Sequence, residues 1–179
     1  MYLDVIRWWM KNSTLDIYII DSSNNVFDDD IEQSCKTHHF NQADFTSCTT
    51  CSTTLEFLSY DQALNVFEKE WKQKYDYIIK LTCKYTLPTL EAILKEITDT
   101  SYDLFVQSIG SRSHTNCEIY IIKSTKIDLF INDLRSVTPH CSLEHRLHKN
   151  LSKYAFSRLK RMQNTSNYKR GSGNILRSL

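Results

Sequence analysis

The chain has 179 residues, of which 41% are apolar and 24% charged, and 22 basic residues nearly balance 21 acidic ones. This length suits a single domain with one core, and the composition excludes a disordered or collagen-like chain. Three glycines and two prolines are few for an all-β sandwich. No apolar run approaches the ~20 residues of a membrane-spanning helix, so the sequence predicts a mixed α/β domain without a membrane span.

The charges are distributed unevenly along the chain. From His140 onward there are nine Lys or Arg residues and one acid, Glu144. This asymmetry predicts contact with an anion such as a phosphate, a nucleic acid or an acidic lipid; the alternative is a solvated helix face followed by a tail. Asp4 and Arg7 interrupt the apolar start of the chain, which therefore differs from a secretory signal. Six cysteines without an export signal indicate a reducing, cytoplasmic location.

Apolar periodicity predicts strands and helices in alternation. The predicted helices are Tyr2–Lys11, a helix capped within Ser52–Thr54 that reaches Lys74, a helix from Pro88 to Ile97, Ile127–Leu134, and a long helix capped by Ser142 that reaches Met162. The predicted strands are Leu15–Ile20, Tyr77–Leu81, Asp103–Gln107 and Glu118–Ile122, and the predicted turns and loops are Asp21–Asn25, Val26–Ser52 and Gly110–Asn116. This order favours a mainly parallel sheet with helices on both faces, in one domain over residues 1–162 followed by a basic tail over residues 163–179.

Parallel sheets bind ligands outside the carboxyl ends of their strands. The candidate binding residues at those ends are Asp21, Ser22, Ser23, Lys80, Thr82, Lys84, Tyr85 and Gln107. A carboxylate and hydroxyls after the first strand can hold sugar hydroxyls, although a strand-terminating turn uses the same residue types. Lys84, which is expected near the binding crevice at the strand ends, can neutralise a phosphate. The alternative is that its side chain extends along the surface into water.

Two further candidates lie in the C-terminal part. Glu144 is predicted in the first turn of a helix, where the helix dipole keeps its carboxylate ionised and oriented as a general base; an ordinary first-turn acid is the alternative. Arg170, Gly171, Ser172 and Gly173 contain the one Gly-x-Gly of the chain. Their backbone N–H groups beside a guanidinium can bind a phosphate, unless they belong to a disordered tail.

Two groups of residues have the spacing of metal ligands. Cys35, His38 and His39 followed by Cys48 and Cys51 can surround a tetrahedral zinc ion, or they can be ordinary loop residues. The run Asp28–Asp30 can hold a divalent ion against a diphosphate, or it can be solvated. Neither group is favoured as a metal site, so the sequence predicts no cofactor.

The order of these segments resembles a known family. The matching segments are Arg7–Trp9, Leu15–Asn24, Ser52–Glu56, Lys80–Tyr85, Val106–Gln107, Ser142–Glu144 and Arg170–Gly173. Together they are similar to the small GT-A-type glycosyltransferase-like proteins of large DNA viruses and protists, and the Lys-Leu-Thr-Cys-Lys-Tyr run is the most specific element.

The resemblance implies a GT-A-like fold and the transfer of a sugar from a nucleotide-diphospho-sugar to a hydroxyl of a glycan or protein acceptor. It implies that Asp21 orients donor hydroxyls, that Lys84 and Arg170 offset diphosphate charge, and that Glu144 is the base. Cys83 stands where the family has glycine, and no Asp-x-Asp follows a strand. The chain begins in the family's first helix, so the first strand is expected to be missing.

Two alternatives remain open. One is a catalytically inactive, truncated relative. The other is a non-catalytic protein whose basic C-terminal segment binds a partner or, less favoured, a nucleic acid. Tyr154, Phe156 and Tyr168 alternate there with basic residues, a pattern compatible with stacking on single-stranded bases.

Overall fold

The computed structural model describes residues 2–45, 52–82, 85–88, 90–97, 101–107, 109–111, 114–115, 118–137, 142–159 and 169–170. The described helices are α1 (Tyr2–Asn12), α2 (Asp29–Ser34), α3 (Ser52–Lys74), α4 (Leu90–Glu96), α5 (Ile127–Ser136) and α6 (Leu143–Asn150). The described strands are β1 (Tyr18–Asp21), β2 (Lys36–His39), β3 (Tyr77–Leu81), β4 (Tyr85–Thr86), β5 (Leu104–Val106), β6 (Ile109–Ser111), β7 (His114–Thr115), β8 (Ile119–Lys123), β9 (Phe156–Arg158) and β10 (Lys169–Arg170). Short 3₁₀ turns cover Gln42–Asp44, Ser124–Lys126 and Leu151–Lys153.

Four strands form the main sheet, in the order β3-β8-β5-β9. β8 is antiparallel to both of its neighbours, whereas β5 and β9 are parallel. The prediction of a mainly parallel sheet is therefore wrong, and the sheet is mixed. The physical reason is that β8 enters the sheet from the β6–β7 hairpin rather than through a crossover helix, so it runs in the opposite direction.

β1 and β2 form a separate parallel pair. The sequence predicts a loop over Val26–Ser52, but this segment contains both α2 and β2. α2 has only six residues and buries little besides Ile31, so it shows no helical periodicity. β2 is the polar sequence Lys-Thr-His-His, whose extended conformation comes from its pairing with β1. These elements depend on tertiary contacts that local pattern does not encode.

Helices cover both faces of the main sheet, as the sequence predicts. Residues of β8 alternate between the two faces: Tyr120 and Ile122 pack with α5 and α6, whereas Ile119 and Ile121 pack with α1 and α4. All four side chains are at most 1% exposed. This alternation is the period of a strand that is buried on both sides.

The last predicted helix is shorter than expected. Ser142 is its N-cap, and its hydroxyl accepts a hydrogen bond from the amide of His145 at 3.4 Å. The helix ends at Asn150, whose buried side chain donates hydrogen bonds to the backbone oxygens of Arg146 and Asp133. A 3₁₀ turn follows and leads into β9, which pairs with β5. The pairing partner, which lies far away in sequence, thus decides where the helix stops.

Two small antiparallel pairs also differ from the predicted turns. β6 pairs with β7 inside the segment that the sequence assigns to a polar turn. β10 pairs with β4, so residues 169–170 form a strand beside the segment that follows β3. The rest of the predicted tail, residues 163–168 and 171–179, lies outside the described residues. In the part of the chain that the structure describes, no helix is long and apolar enough to cross a membrane.

Candidate functional site

The strands β1, β2 and β3 end at one edge of the molecule, as their contacts with α3 show. At the carboxyl end of α3, the Nζ of Lys74 lies 2.7 Å from the carboxylate of Asp16, which precedes β1. In its amino half, α3 instead contacts residues near the strand ends, in the pairs Gln62–His38 and Glu56–Lys80. The helix therefore runs antiparallel to the strands, and the strands are parallel to one another. We call the side at which they end the carboxyl edge.

The register of the main sheet brings β5 and β9 to the same edge. Leu81 pairs with Ile119, and Val106 pairs with both Tyr120 and Arg158. Gln107 therefore follows β5 close to the point where Thr82 follows β3. The main sheet thus places Thr82 and Gln107 at its carboxyl edge, and Asp21 ends β1 of the separate two-stranded sheet on the same side of the molecule. The carboxyl ends of strands are where α/β sheets bind ligands.

Asp21 ends β1 and organises the turn after it. Its Oδ2 accepts hydrogen bonds from the hydroxyl of Ser23 at 2.7 Å and from the backbone amide of Ser23 at 3.1 Å. Asn24 follows with a φ of 57°, in the left-handed region that asparagine tolerates well. The backbone oxygen of Ser22 accepts from the amide of Gln42 at 3.2 Å. The turn is therefore held in one shape, and the Asp21 carboxylate is fixed at its base.

His39 is a residue of this edge that sequence reasoning noted only as a metal-ligand candidate. Its Nε2 lies 2.8 Å from Glu32, and its Nδ1 lies 3.6 Å from the Oδ2 of Asp21. Within the described residues this Nδ1 is buried without a hydrogen-bond partner. The imidazole at the end of β2 thus lies between the carboxylates of Asp21, at the end of β1, and Glu32, on α2. Local sequence carries no signal for this, because the parallel pairing of Asp21 with His39 creates it.

Glu32 holds the other side of that imidazole. It accepts hydrogen bonds from the hydroxyl of Thr37 and from the amide of Phe27, the latter at 3.0 Å. These donors, together with His39, stabilise the ionised carboxylate and hold its pKa below the usual range. Glu32 is therefore a fixed negative charge that orients the ring of His39.

Lys80 lies inside the fold rather than extending to the surface. Its Nζ is 2.5 Å from Glu56 and 3.2 Å from the hydroxyl of Thr82, and it lies over the ring of Tyr120. Burial raises the pKa of Tyr60, so its hydroxyl stays protonated and donates to Glu56 at 2.8 Å. Glu56 already offsets the charge of Lys80, so Lys80 positions Thr82 at the carboxyl edge.

Gln107 is buried at the end of β5, with 4% of its surface exposed. Its Oε1 has no hydrogen-bond partner among the described residues. A buried acceptor without a donor costs about 1–3 kcal/mol, so native structures usually supply a donor from water or a ligand. Gln107 is therefore the strongest sign of a binding group among the candidate residues that the structure describes.

β4 and β10 pair one residue of the Lys80–Tyr85 run with one residue of the Arg170–Gly173 segment. Tyr85 is the Cα partner of Arg170 in this antiparallel pair. Lys84 and Gly171–Gly173 lie outside the described residues, but each is adjacent in sequence to one of the paired residues. The paired residues Tyr85 and Arg170 are more than 80 residues apart in sequence, so sequence spacing alone does not reveal this pairing.

Glu144 lies half-buried in the first turn of α6, where the sequence predicts it. One turn later on the same helix, the Nδ1 of His148 lies 3.2 Å from the hydroxyl of Thr115 on β7. α6 therefore packs on the hairpin that leads into β8 at the carboxyl edge. Residues four apart lie on one helix face, so Glu144 and His148 share a face.

The predicted metal ligands do not converge. Cys35 is buried among apolar residues, and burial raises the pKa of its thiol, whereas His38 contacts α3 on the other face of β2. Cys48 and Cys51 lie outside the described residues. Arg7 binds Asp28 and Asp30, at 2.5 and 2.7 Å. Among the described residues, no three His, Cys, Asp or Glu side chains are grouped to hold a metal ion.

The fold has a distant likeness to a solved structure. No protein-family model and no curated protein matches the sequence. The crystal structure of the glycosyltransferase GlyE of Streptococcus pneumoniae TIGR4 is similar to 89% of this chain, with a TM-score of 0.51 and 15% sequence identity. The chain spans 42% of the length of that protein. At this identity the likeness shows a glycosyltransferase-like fold.

Proposed function

We propose that this protein transfers a sugar from a nucleotide-diphospho-sugar donor to a hydroxyl of a glycan or protein acceptor. The observation that carries the proposal is that Asp21, Thr82 and Gln107 all lie where strands end at the carboxyl edge of a glycosyltransferase-like fold. The proposed compartment is the cytoplasm, because the six cysteines fit a reducing environment.

In this proposal the first strand end binds the sugar and ribose hydroxyls of the donor. Asp21 accepts from a donor hydroxyl, and Ser22 and Ser23 supply short polar groups beside it. The fixed turn at Asp21 supports this role, because a carboxylate that is already oriented loses little conformational entropy when it binds. The side-chain Oε1 of Gln107 accepts a hydrogen bond from a further donor hydroxyl, which would give this buried oxygen a partner.

The proposed diphosphate site lies between the ends of β3 and β10. Lys84 and Arg170 offset the negative charge, and backbone N–H groups of Gly171–Gly173 donate to phosphate oxygens. Lys80 and Thr82 form the wall on the β3 side, and Tyr85 connects this wall to β10. The pairing of Tyr85 with Arg170 supports this arrangement, because it brings the two basic segments together.

Glu144 is the proposed general base. An acceptor hydroxyl becomes a better nucleophile as its proton moves to the carboxylate, while the anomeric carbon bonds to the acceptor oxygen and the nucleoside diphosphate leaves. The position of α6 on the hairpin before β8 supports this role, because the helix contacts an element of the carboxyl edge.

The test is calorimetric titration of the intact chain with uridine diphosphate and with guanosine diphosphate. We expect binding of at least one of them, and Lys84→Ala should weaken it by roughly tenfold to a hundredfold, since a charged hydrogen bond contributes ~1.5–3 kcal/mol. Lys69→Ala, on an exposed face of α3, is the matched control and should bind as the parent does. Absence of binding to both nucleotides, together with a steep salt-dependent affinity for a single-stranded oligonucleotide, would favour the non-catalytic alternative.

A further inference from the structure

A pocket of about 450 Å³ lies where α3, α5, α6 and the segment after β2 meet. Its wall includes Arg135 and Arg146, the carboxylate of Asp61, and the aromatic rings of Phe45 and Phe57. Pockets for small ligands usually have volumes of ~300–1,000 Å³. Among the described residues that line it, two side chains are basic and one is acidic, so the wall carries a net positive charge.

One wall of the pocket is connected to the turn at Asp21. β2 ends at the carboxyl edge, and the short 3₁₀ turn that follows it leads to Phe45. The amide of Gln42 in this 3₁₀ turn donates to the backbone oxygen of Ser22 at 3.2 Å. The backbone that carries Phe45 is therefore bonded to the turn that Asp21 organises.

The opposite wall contains the carboxyl end of α5. This helix runs antiparallel to α3, because Asp128 in its first turn pairs with Lys72 near the end of α3, whereas Arg135 in its last turn pairs with Asp61 in the amino half of α3. The amino half of α3 lies at the carboxyl edge, so the end of α5 lies there too. The pocket therefore borders the edge at which the nucleotide-sugar donor is proposed to bind.

The two guanidinium groups of the pocket are held in place by the fold. Arg146 is 4% exposed, and its Nη1 donates to the backbone oxygens of Leu134 and Arg135 at 3.0 and 3.2 Å. These are carbonyls of the last turn of α5, which have no partner within the helix. The guanidinium carbons of Arg146 and Arg135 lie 5.2 and 5.5 Å from the centre of the Phe57 ring. Groups that are already oriented lose little conformational entropy when a ligand binds.

Asp61 pairs with Arg135 at the exposed side of the pocket. Its carboxylate accepts a hydrogen bond from the Nη2 of Arg135, and both side chains are more than a third exposed. An ion pair as exposed as this contributes little to stability, so it can exchange for a ligand anion at small cost. A guanidinium group binds carboxylates and phosphates through two parallel hydrogen bonds. The pocket is therefore suited to an anionic group.

The rest of the wall suits a sugar ring. Phe45 is 54% exposed and contacts the fold through an edge-on contact with Phe40, so much of its ring is accessible to a ligand. Thr53 and Thr54 line the pocket with hydroxyl groups, which can both donate and accept hydrogen bonds. A pyranose offers the matching groups, because its C–H groups can contact an aromatic ring while its hydroxyls bond to polar side chains.

From these contacts we infer that the pocket binds an acidic sugar, whose carboxylate or phosphate is bound by Arg135 and Arg146 and whose ring lies against Phe45. A free inorganic anion would use the arginines without Phe45, and a neutral sugar would use Phe45 without the arginines. The acidic sugar belongs to the acceptor, an assignment that rests on the proposed function. The acceptor is then a glycan that carries a carboxylate or a phosphate.

The test is an NMR titration of the intact chain with methyl glucuronoside and with glucose 6-phosphate, in which the amide shifts of Phe45, Asp61 and Arg135 report binding. Methyl glucoside is the neutral probe, and inorganic phosphate is the anion without a sugar. We expect at least one acidic sugar to bind about tenfold or more tightly than either control probe, with an affinity that falls as salt is added. The acidic sugar that binds more tightly identifies the anionic group of the acceptor.

Four outcomes of this titration would overturn the inference. Equal binding of inorganic phosphate would exclude a site for the sugar ring, and equal binding of methyl glucoside would exclude a role for the arginines. Absence of binding by both acidic sugars would exclude the site itself. So would binding that leaves the three reporter amides unchanged.

Two variants that break the same ion pair separate binding from a structural role. Arg135→Gln removes a cation and should weaken binding of the acidic sugar by about tenfold or more, whereas Asp61→Asn removes a competing carboxylate and should strengthen it severalfold. A purely structural ion pair between α3 and α5 predicts the same effect from both substitutions, so equal affinities of the two variants would overturn the inference. Arg7→Gln, which breaks ion pairs with Asp28 and Asp30, is the matched control and should bind as the parent does.

The titration contains no nucleotide, so its failure is distinguishable from failure of the proposed function. Binding of the acidic sugar without binding of uridine or guanosine diphosphate would support the pocket and overturn its assignment to a glycosyl acceptor. Binding of a nucleotide without binding of either acidic sugar would overturn the pocket alone.

Discussion

Glu144 is the residue on which the proposed chemistry depends most directly. It lies in the first turn of α6, at the positive end of the helix dipole. We expect Glu144→Gln to reduce turnover by ~10²–10⁴-fold, the usual contribution of a general base, and to leave nucleotide affinity nearly unchanged. Single-turnover kinetics and calorimetry on the same preparation measure the two quantities.

Asp128→Asn is the matched control for this substitution. Asp128 is also a first-turn acid, but it lies on α5 and pairs with Lys72. The control should lose a little stability and keep full turnover. If Glu144→Gln behaves in the same way, Glu144 is an ordinary first-turn acid and the assigned base is wrong.

Glu32, beside the carboxyl edge, makes the stability of the folded protein depend on pH in the acidic range. Its pKa is lower in the folded protein than the ordinary value of 4.5, because Thr37, Phe27 and His39 donate to the ionised form. Its contribution to the free energy of unfolding is therefore complete above about pH 4.5 and is lost as the pH falls through the folded pKa.

We expect Glu32→Gln to destabilise the protein at pH 7 and to have much less effect near pH 2. Urea unfolding at a series of pH values measures this difference. Asp29→Asn replaces an exposed acid of the same helix, and its effect on the free energy of unfolding should not change between pH 7 and pH 2 in this way. If the free energies of unfolding of the parent and of Glu32→Gln differ by the same amount at every pH, ionised Glu32 is not the stabilising group.

At the scale of elements, α5 shows how strongly its buried face contributes to stability. Leu134 is fully buried between this helix and the main sheet, whereas Leu129 on the same helix is 50% exposed. We expect Leu134→Ala to lower the free energy of unfolding by ~2–5 kcal/mol, because it removes buried methyl groups and leaves a cavity. Leu129→Ala should cost ~0.5 kcal/mol or less. Equal losses, measured by urea unfolding, would contradict the assignment of Leu134 to the buried face and Leu129 to the exposed face of α5.

The elements that the sequence predicts well are those with a strong local signal. α1 and α5 place apolar residues on one face over about three turns, α3 spaces them at roughly helical intervals over 23 residues, and β3 and β8 are short runs rich in isoleucine and tyrosine. The turn at Asp21 is predictable because its side chains make the hydrogen bonds of the turn themselves. In these segments local propensity and tertiary contacts favour the same structure.

For the whole molecule, the charge of the carboxyl edge predicts that nucleotide binding does not require a metal ion. The predicted phosphate ligands are basic, and Arg7 already binds the acidic run near β1. Titration with uridine diphosphate should therefore give the same affinity with a chelator as with manganese. If chelation abolishes binding and manganese restores it, the lysine assignment is wrong, and Asp28–Asp30 become the residues to substitute.

About half of the candidate site could be predicted because its residues follow predictable strands. Asp21, Thr82 and Gln107 occur where apolar strands end, and the binding rule for α/β sheets selects them without knowledge of the pairing. His39 and Glu32 could not be selected, because they lie on short polar elements that are ordered by β1 and α1. The sequence selects Lys80 as a candidate at the end of a strand, but its ion pair with Glu56 depends on how α3 crosses the sheet.

By itself, the sequence determined the mixed α/β class of the fold, its main helices and strands, and the candidate residues that directly follow predicted strands. Periodicity and turn chemistry act between neighbouring residues, so the chain encodes them locally. Only the tertiary structure decided the direction of β8, the end of α6 at Asn150 and the pairing of β4 with β10. Each of these depends on backbone hydrogen bonds and packing between segments that are distant in sequence, and a local pattern does not specify which distant segment becomes the partner.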